Sequence, residues 1–470
     1  MERRELQLGS LLLTIALGCV AVRLFGLGLY PVMDTSEARY AEIARKMVEL
    51  NAWLVPMYTY TEPFWGKPPL AFWMTALGLE VFGINAFGAR FPNWLFGLAT
   101  MALMWRLVGH DRTRGALALV VFVSADLGYE ATGAVKTDPA LMFSVTLALT
   151  GFWLGVAERR RGWYWAMFVG IGLTLLAKGP VGLVLCGLTG VIWLIWQRRL
   201  REFLLDWRWA AGTALAGAVA VPWYLLAETA SPGFLRYFLV GEHYERFVVP
   251  GWSGDLYGEG HERPPGMIWA YLLEAMLPWS LLLPVVLVAR RHALNRTWGD
   301  SFERFCWCWL VGPLVLFTAA SNLLPTYIMP ALPAASILIA TWLLRVCPRG
   351  ARARVWIAAL CAAALLLPVG RFVGLLDPDA LTRSRNQQPI VAAWAHHSQN
   401  VPAPLHYVGR RRFSAEFYAG GAMTYLPRAG DVPDAAVYVV LHEKWRLDAL
   451  PARCGQLLHR NEHFLFFCPQ

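Results

Sequence analysis

Charge is scarce in this sequence. Asp, Glu, Lys and Arg make up 16% of its 470 residues, where soluble domains carry roughly 25%. Hydrophobic residues make up 57%, too many for a water-soluble globule to cover with polar side chains. Lysine is nearly missing, at 5 of the 42 basic residues. Ionisable residues are almost absent from the middles of the apolar runs, where a transporter or channel keeps the charges of its pathway. There is no internal repeat and no low-complexity tract. Cysteine spacing for a metal is lacking as well. Cys306 and Cys308 stand too close for a structural zinc pair, and Cys19, Cys186, Cys347 and Cys361 lie in or beside apolar segments as packing residues. Cys454 and Cys468, in the polar tail, are a disulfide pair if that tail lies outside the cytoplasm and free thiols if it does not.

What the chain does have is apolar length. A membrane-spanning helix needs roughly 20 apolar residues, and the spans read as 9–29, 86–107, 115–131, 138–157, 163–178, 180–196, 209–228, 267–289, 305–321, 326–345 and 355–375. The net charge of +10 is topological and does not point to nucleic acid. Arg3/Arg4, Arg106/Arg112/Arg114, Arg159–Arg161, Arg198/Arg199/Arg201, Arg290/Arg291/Arg296 and Arg345/Arg349/Arg352/Arg354 fall at alternate ends of successive spans, as basic loops on the cytoplasmic side do. The other face receives 30–85, 132–137, 229–266, 322–325 and the chain after about 376. Segment 30–85 has a helical pattern from Ser36 to Leu50, Pro-rich turns and then apolar residues 69–82, which reads as short helices lying at the interface. The tail 376–470 has strand-like runs at Val437–Leu441 and Phe464–Phe467. The fold expected is an all-α polytopic membrane protein of about eleven spans, with a membrane domain over 1–375 and a small C-terminal α/β domain over 376–470.

The chemistry gathers on the face away from the basic loops. Asp34-Thr35-Ser36-Glu37-Ala38-Arg39-Tyr40 follows the first span. Ser36 or Thr35 caps a helix there with Glu37 in its first turn, which leaves Asp34 free beside a low-dielectric boundary. That setting raises a carboxyl pKa and suits a general base. Lys67, between aromatics and Pro68-Pro69, is either a well-fixed phosphate ligand or a lysine snorkelling to the interface. Lys46, Lys67, Lys136 and Lys178 all fall at external ends. Asp138 before Pro139 either starts span four or forms a carboxylate pair with Asp34. Arg246 and Arg263 suit phosphate or diphosphate, and Tyr327 is either a belt residue or part of a site. The sequence singles out no cofactor; Glu242, His243 and His261 could ligate a divalent cation, though no spacing there is specific for a metal.

Taken in order, these motifs form a familiar set. Asp34-Thr35-x-Glu37-x-Arg39-Tyr40, Trp53-x-x-Pro56 and Lys67-Pro68-Pro69-Leu70-x-x-Trp73 are followed by Ala89-Arg90-Phe91-Pro92, Thr137-Asp138-Pro139 and Lys178-Gly179-Pro180. Pro222-Trp223, Glu242-His243-x-x-Arg246-Phe247, Pro278-Trp279 and Leu324-Pro325-Thr326-Tyr327 continue them. Over residues 10–340 the sequence resembles the GT-C glycosyltransferases of the aminoarabinose (lipid A) transferase and protein O-mannosyltransferase group. The resemblance implies a bacterial inner-membrane enzyme with a cytoplasmic N-terminus and a periplasmic C-terminal domain. Such an enzyme passes a sugar from a polyprenyl-phosphate donor to a lipid A-type or other envelope lipid or glycan acceptor. It further implies that Asp34 is the catalytic Asp and Asp138 a second site carboxylate. Lys67 would grip the donor phosphate, with Arg246, His261 and Tyr327 near the headgroup and Glu37 and Arg39 among the substrate-binding residues. The chain departs from the group at Gly66, where a Glu is common, and at Leu323, where a Lys is common. The alternative reading is a polytopic lipid or sugar transporter or flippase, for which span count alone speaks, and a third is a non-catalytic envelope assembly protein.

Overall fold

The computed structural model describes residues 2–258, 260–282, 284, 300–346, 351–375, 385–442, 450–460 and 463–470. Among them, five helices are long and apolar enough to cross a membrane: Gln7–Gly26, Asp138–Ala157, Arg208–Ala230, Pro325–Val346 and Val355–Gly374. Helices Ala86–Val108, Arg161–Lys178, Pro180–Trp196 and Ser301–Thr318 occupy four further expected spans. The protein is a multi-pass, mostly helical membrane protein. Helix Asp138–Phe152 lies close along Arg161–Lys178, and a Cβ on Gly170 would collide with the Ala148 backbone. Small residues of this kind let membrane helices approach closely where no hydrophobic effect drives them together.

Three expected spans are interrupted. The run 115–131 breaks after Ser124, where Ala125 turns extended before the short helix Asp126–Ala131. The Asp126 amide donates to Leu277 O at 2.9 Å and its carboxylate pairs with Arg371, so this segment leaves the helix axis to meet two others. The run 267–289 is α-helical over Met267–Ala275 and continues as a 3-10 turn at Trp279–Leu282. Pro278 lacks an N–H and disfavours helix in the residue before it. The rest of that run, with the basic loop at Arg290, Arg291 and Arg296, lies outside the described residues. The run 326–345 opens as a 3-10 turn, Pro325–Ala331, before helix Leu332–Val346.

Helices Ser36–Glu49 and Leu70–Phe82 are the two short helices expected within 30–85. The tail builds a five-stranded sheet in the order β2-β1-β3-β5-β4, with β1 Leu405–Val408, β2 Met423–Leu426, β3 Val437–His442, β4 Gln456–Arg460 and β5 His463–Cys468. Strand β1 is parallel to β2 and β3, and β5 is antiparallel to β3 and β4. Side chains of β3 alternate between faces. Tyr438 and Val440 pack with Ile390 and Val391, while Val437, Val439 and Leu441 pack around Cys454 and Cys468, which are disulfide-bonded. The expected boundary at 375/376 falls beside residues 376–384, outside the described residues.

The sheet domain docks on these two short helices. Phe413 and Phe417 enter the apolar cluster of Ala38, Ala41, Met47, Phe64 and Phe72. Lys46 bridges Glu42 at 2.9 Å and Glu416 at 3.1 Å, and Tyr418 OH accepts from Val32 N at 2.7 Å. Lys46 is therefore a structural tie between the tail and helix Ser36–Glu49. It is not a free external cation.

Candidate active site

The site sits where several helices end. Asp138 opens helix Asp138–Phe152, Lys178 closes helix Arg161–Lys178, and Gly179, at φ +76°, reverses the chain into Pro180–Trp196. That left-handed turn suits glycine. It holds Lys178 Nζ 2.5 Å from Asp138 Oδ1 and 4.3 Å from the centre of the Tyr327 ring. The Asp138 carboxylate thus pairs with a lysine. Thr137 occupies the N-cap position without a side-chain cap bond.

Asp34 is 7% exposed and, contrary to expectation, is not free. Oδ1 accepts from Ser414 N at 3.1 Å and Oδ2 from Ser414 Oγ at 2.5 Å, while its own amide donates to Arg385 O at 2.8 Å. Burial raises the Asp34 pKa above the ordinary aspartate value, and the Ser414 hydrogen bonds and Arg412 offset part of that rise. Nor does Thr35 cap the following helix with its side chain. Glu37 reaches back to Met33 N at 3.1 Å and forms a two-pronged pair with Arg90, Nε to Oε1 at 2.8 Å and Nη2 to Oε2 at 2.9 Å. Burial works against the Glu37 carboxylate, but Arg90 outweighs it and the pKa falls below the usual value. Arg90 is fully buried and also donates to the carbonyls of Leu27, Tyr30 and Pro31. The Glu37–Arg90 pair therefore fixes the exit of the first helix.

Three cavities line this face. The largest, about 990 Å³, is bounded by Asp34, Glu37, Glu130 and Lys136 together with arginines from distant parts of the chain: Arg23, Arg371, Arg385, Arg410 and Arg412. Arg23 is 3% exposed, and its Nε–H has no partner among the described residues. A second cavity, about 270 Å³, shares Ser36, Glu130 and Lys136 with the first and reaches Asp138 and Tyr40. The smallest, about 90 Å³, is lined by Lys67, Lys178, Glu242, Arg246, Asn322 and Tyr327. Lys67 Nζ lies 2.7 Å from Glu242 Oε2. Arg246 bridges Glu242 at 3.1 Å and Asp255 at 3.0 Å, and its Nε–H is unpartnered among the described residues. Burial disfavours the Glu242 carboxylate, but Lys67 and Arg246 prevail and hold its pKa at about 2. The same carboxylate raises the Lys67 pKa against burial.

The remaining expected residues divide. Tyr327 lines the smallest cavity. Arg39 Nη1 donates to Tyr257 O, and Arg39 packs over Tyr40. His261 is exposed, its carbonyl accepts from Leu323 N at 2.9 Å, and it lines none of the three cavities. His243 is half-buried and lines the smallest cavity, with ring nitrogens 2.7 Å from Phe238 O and 3.1 Å from Lys178 O. Among the described residues no three His, Cys, Asp or Glu side chains gather as a cation site. A Cβ on Gly66 would meet Phe64 Cζ at 2.8 Å, so a Glu there requires the Phe64 ring to move. Leu323 is buried at 1% exposure. Sequence reasoning missed Ser414 and Arg412, whose only signal was the run Arg410-Arg411-Arg412. It named Lys178 and Glu242 without their partners.

This architecture is shared with known proteins. The sequence matches the dolichyl-phosphate-mannose-protein mannosyltransferase family over residues 7–238. It is 31% identical over 373 residues to the undecaprenyl phosphate-alpha-4-amino-4-deoxy-L-arabinose arabinosyl transferase of Enterobacter sp. (strain 638), covering 76% of this chain and 64% of that one. A protein of the same name from Erwinia tasmaniensis is 30% identical over 70% of this chain and 59% of its own length. The chain thus spans less than two thirds of these relatives. Its fold matches ArnT from Cupriavidus metallidurans, solved bound to undecaprenyl phosphate, with a TM-score of 0.79 and 20% identity over 97% of each chain. The fold is that of the GT-C membrane glycosyltransferases. Within that group its sequence is similar to the aminoarabinose transferases.

Proposed function

We propose that the chain is an inverting glycosyltransferase. It moves a sugar from a polyprenyl-phosphate donor to a lipid A-type or other envelope acceptor at the periplasmic face of the bacterial inner membrane. Residues 1–375 form the catalytic membrane unit, with the loop 30–85 at its centre, and 376–470 form a periplasmic domain. The observation that carries this reading is the convergence of Lys67, Lys178 and Arg246 on one small cavity beside Asp138, with Asp34 in a cationic cavity on the same face. The names of the relatives, which act on an undecaprenyl phosphate-linked aminoarabinose, agree with it. The alternating Arg loops support an N-terminus in the cytoplasm, and the Cys454–Cys468 disulfide supports an oxidising compartment for the tail.

In the reaction the bond between the anomeric carbon and the donor phosphate oxygen breaks as a bond to an acceptor oxygen forms on the opposite face of the sugar. Polyprenyl phosphate leaves as an anion. Lys67 and Arg246 neutralise the charge that grows on it, taking it over from Glu242, and fixed cations of this kind stabilise a transition state strongly in a water-poor site. Asp34 accepts the proton of a hydroxyl acceptor, and its raised pKa suits a base working near neutral pH. With a phosphate acceptor no proton moves, and Asp34 orients the acceptor instead. Arg23, Arg385, Arg410 and Arg412 make the Asp34 cavity fit for an acceptor that carries anionic groups. Incubating the purified protein with radiolabelled polyprenyl-phosphate sugars, 4-amino-4-deoxy-L-arabinose first, and lipid A tests this reading. Label should move to the acceptor. Transport of the donor without any transfer would favour the flippase reading.

A further inference from the structure

A second cationic pocket opens at the far end of the bundle. Helices Asp138–Phe152 and Arg161–Lys178 have one end each at the candidate site, at Asp138 and Lys178. At their other ends, with Arg199, Glu202, Phe203, Asp206 and Arg208, they enclose a cavity of about 310 Å³. Followed through to Ala157, the first of these helices runs 20 residues, about 30 Å at 1.5 Å per residue and the thickness of a bilayer core. The pocket therefore lies at the opposite interface, among the basic loops that mark the cytoplasmic side.

Its lining presents the guanidinium groups of Arg159, Arg161, Arg199 and Arg208 against only two carboxylates. Glu202 serves both Arg159, at 2.9 Å, and Arg199, at 3.1 Å, and Asp206 serves Arg208 at 2.6 Å. The pocket thus keeps a net positive charge. The more telling group is Tyr164. It is 4% exposed and lines the pocket, with Arg208 5.1 Å above its ring. Its hydroxyl is buried with no hydrogen-bond partner among the described residues, a state that costs free energy unless a ligand relieves it. Immediately beside these charges Leu204, Leu205 and Trp207 are exposed at 54%, 73% and 73%, an apolar flank with an indole of the kind that settles at headgroup depth.

We propose that this pocket binds the phosphate of an anionic phospholipid of the cytoplasmic leaflet, with Arg161, Arg199 and the Tyr164 hydroxyl as its ligands and Leu204, Leu205 and Trp207 against the acyl chains. The arginine surplus explains selection of an anionic headgroup, and the apolar flank distinguishes a lipid from free phosphate. The site stands apart from the glycosyl-transfer centre and does not depend on it.

The test uses the purified full chain, delipidated in detergent and titrated by native mass spectrometry. The probes are phosphatidylglycerol, phosphatidylcholine with the same acyl chains, and inorganic phosphate. Wild type should take up one phosphatidylglycerol in clear preference to phosphatidylcholine. An Arg161→Ala/Arg199→Ala double variant should lose that preference by about fivefold for each arginine removed. Tyr164→Phe deletes a single oxygen and keeps the ring packing, so it carries the test if the double variant folds poorly; it should weaken phosphatidylglycerol about tenfold at a melting temperature no lower than that of wild type. Equal uptake of the two lipids by wild type overturns the proposal. So does unaltered phosphatidylglycerol affinity in Tyr164→Phe, or binding of inorganic phosphate as tight as that of the lipid.

Discussion

Ser414 donates both its backbone N–H and its hydroxyl to Asp34, a residue 380 positions earlier in the chain. The C-terminal domain therefore reaches into the site and holds the orientation of the carboxylate on which the proposed chemistry depends. It also sets the acidity of that carboxylate, because Ser414 pulls down a pKa that burial has pushed up. Removing the hydroxyl in Ser414→Ala should let the Asp34 pKa rise further. With a hydroxyl acceptor only the ionised carboxylate takes the proton, so activity falls below this pKa. The acidic limb of the pH–rate profile should then move to higher pH in Ser414→Ala, with the alkaline limb in place. A Ser414→Thr variant, which keeps the hydroxyl, should restore the limb. A uniform fall in rate at every pH would mean that Ser414 serves packing alone.

Lys67 shares the smallest cavity with Arg246 and Lys178. If these cations hold the leaving phosphate, Lys67→Ala should lower kcat/KM by about 100-fold or more, the usual cost of one such contact. The thermal midpoint should change much less than in Glu242→Ala, since Lys67 lies near the cavity wall while Glu242 is enclosed. Transfer assays paired with melting curves separate the two effects.

Glu242 is the shared partner of Lys67 and Arg246. Glu242→Ala leaves two cations facing each other and should destabilise the protein by about 3–5 kcal/mol, as broken buried pairs do. The pH dependence has a definite sign. A carboxylate held at about 2 in the folded state contributes stability that is complete above the ordinary glutamate value of about 4.3. That contribution is lost as pH falls from there through about 2. The gap in midpoint between wild type and Glu242→Gln should therefore shrink across that acid window and stay constant above it.

The Glu37–Arg90 pair makes a contrasting prediction. Arg90 supports three carbonyls besides Glu37, so Arg90→Ala should cost about 3–5 kcal/mol and show as loss of folded protein, as judged by size-exclusion chromatography of the extracted chain. If Glu37 acted only on substrate, Glu37→Gln would leave the melting temperature unchanged. The structure predicts that it falls.

Apolar run length and arginine alternation made the helical architecture readable, because a bilayer imposes both on local sequence. Val437–Leu441 and Phe464–Phe467 announced strands for the same local reason, their branched and aromatic content. The interruptions were harder to see. Ala125 is an ordinary helix former, and its turn answers to the Leu277 carbonyl and Arg371, contacts far away in sequence. The site was legible as a set of residue types on one face. Its pairing was not: Asp34 was expected to be free, yet Ser414 binds it, and Lys46 was counted among external cations, yet Glu42 and Glu416 bury it. His261 stands exposed outside the cavities. The Asp34 and Lys46 outcomes depend on how the tail folds back onto the first external loop, which no local pattern encodes.

The most direct measurement compares wild type with Asp34→Asn for transfer of radiolabelled sugar from a polyprenyl-phosphate donor to lipid A, with folding verified by melting temperature. Asparagine keeps the shape and can still meet Ser414, but it carries no charge and takes no proton. The account predicts labelled lipid with wild type and none above background with the folded variant. Equal transfer by the two would contradict it.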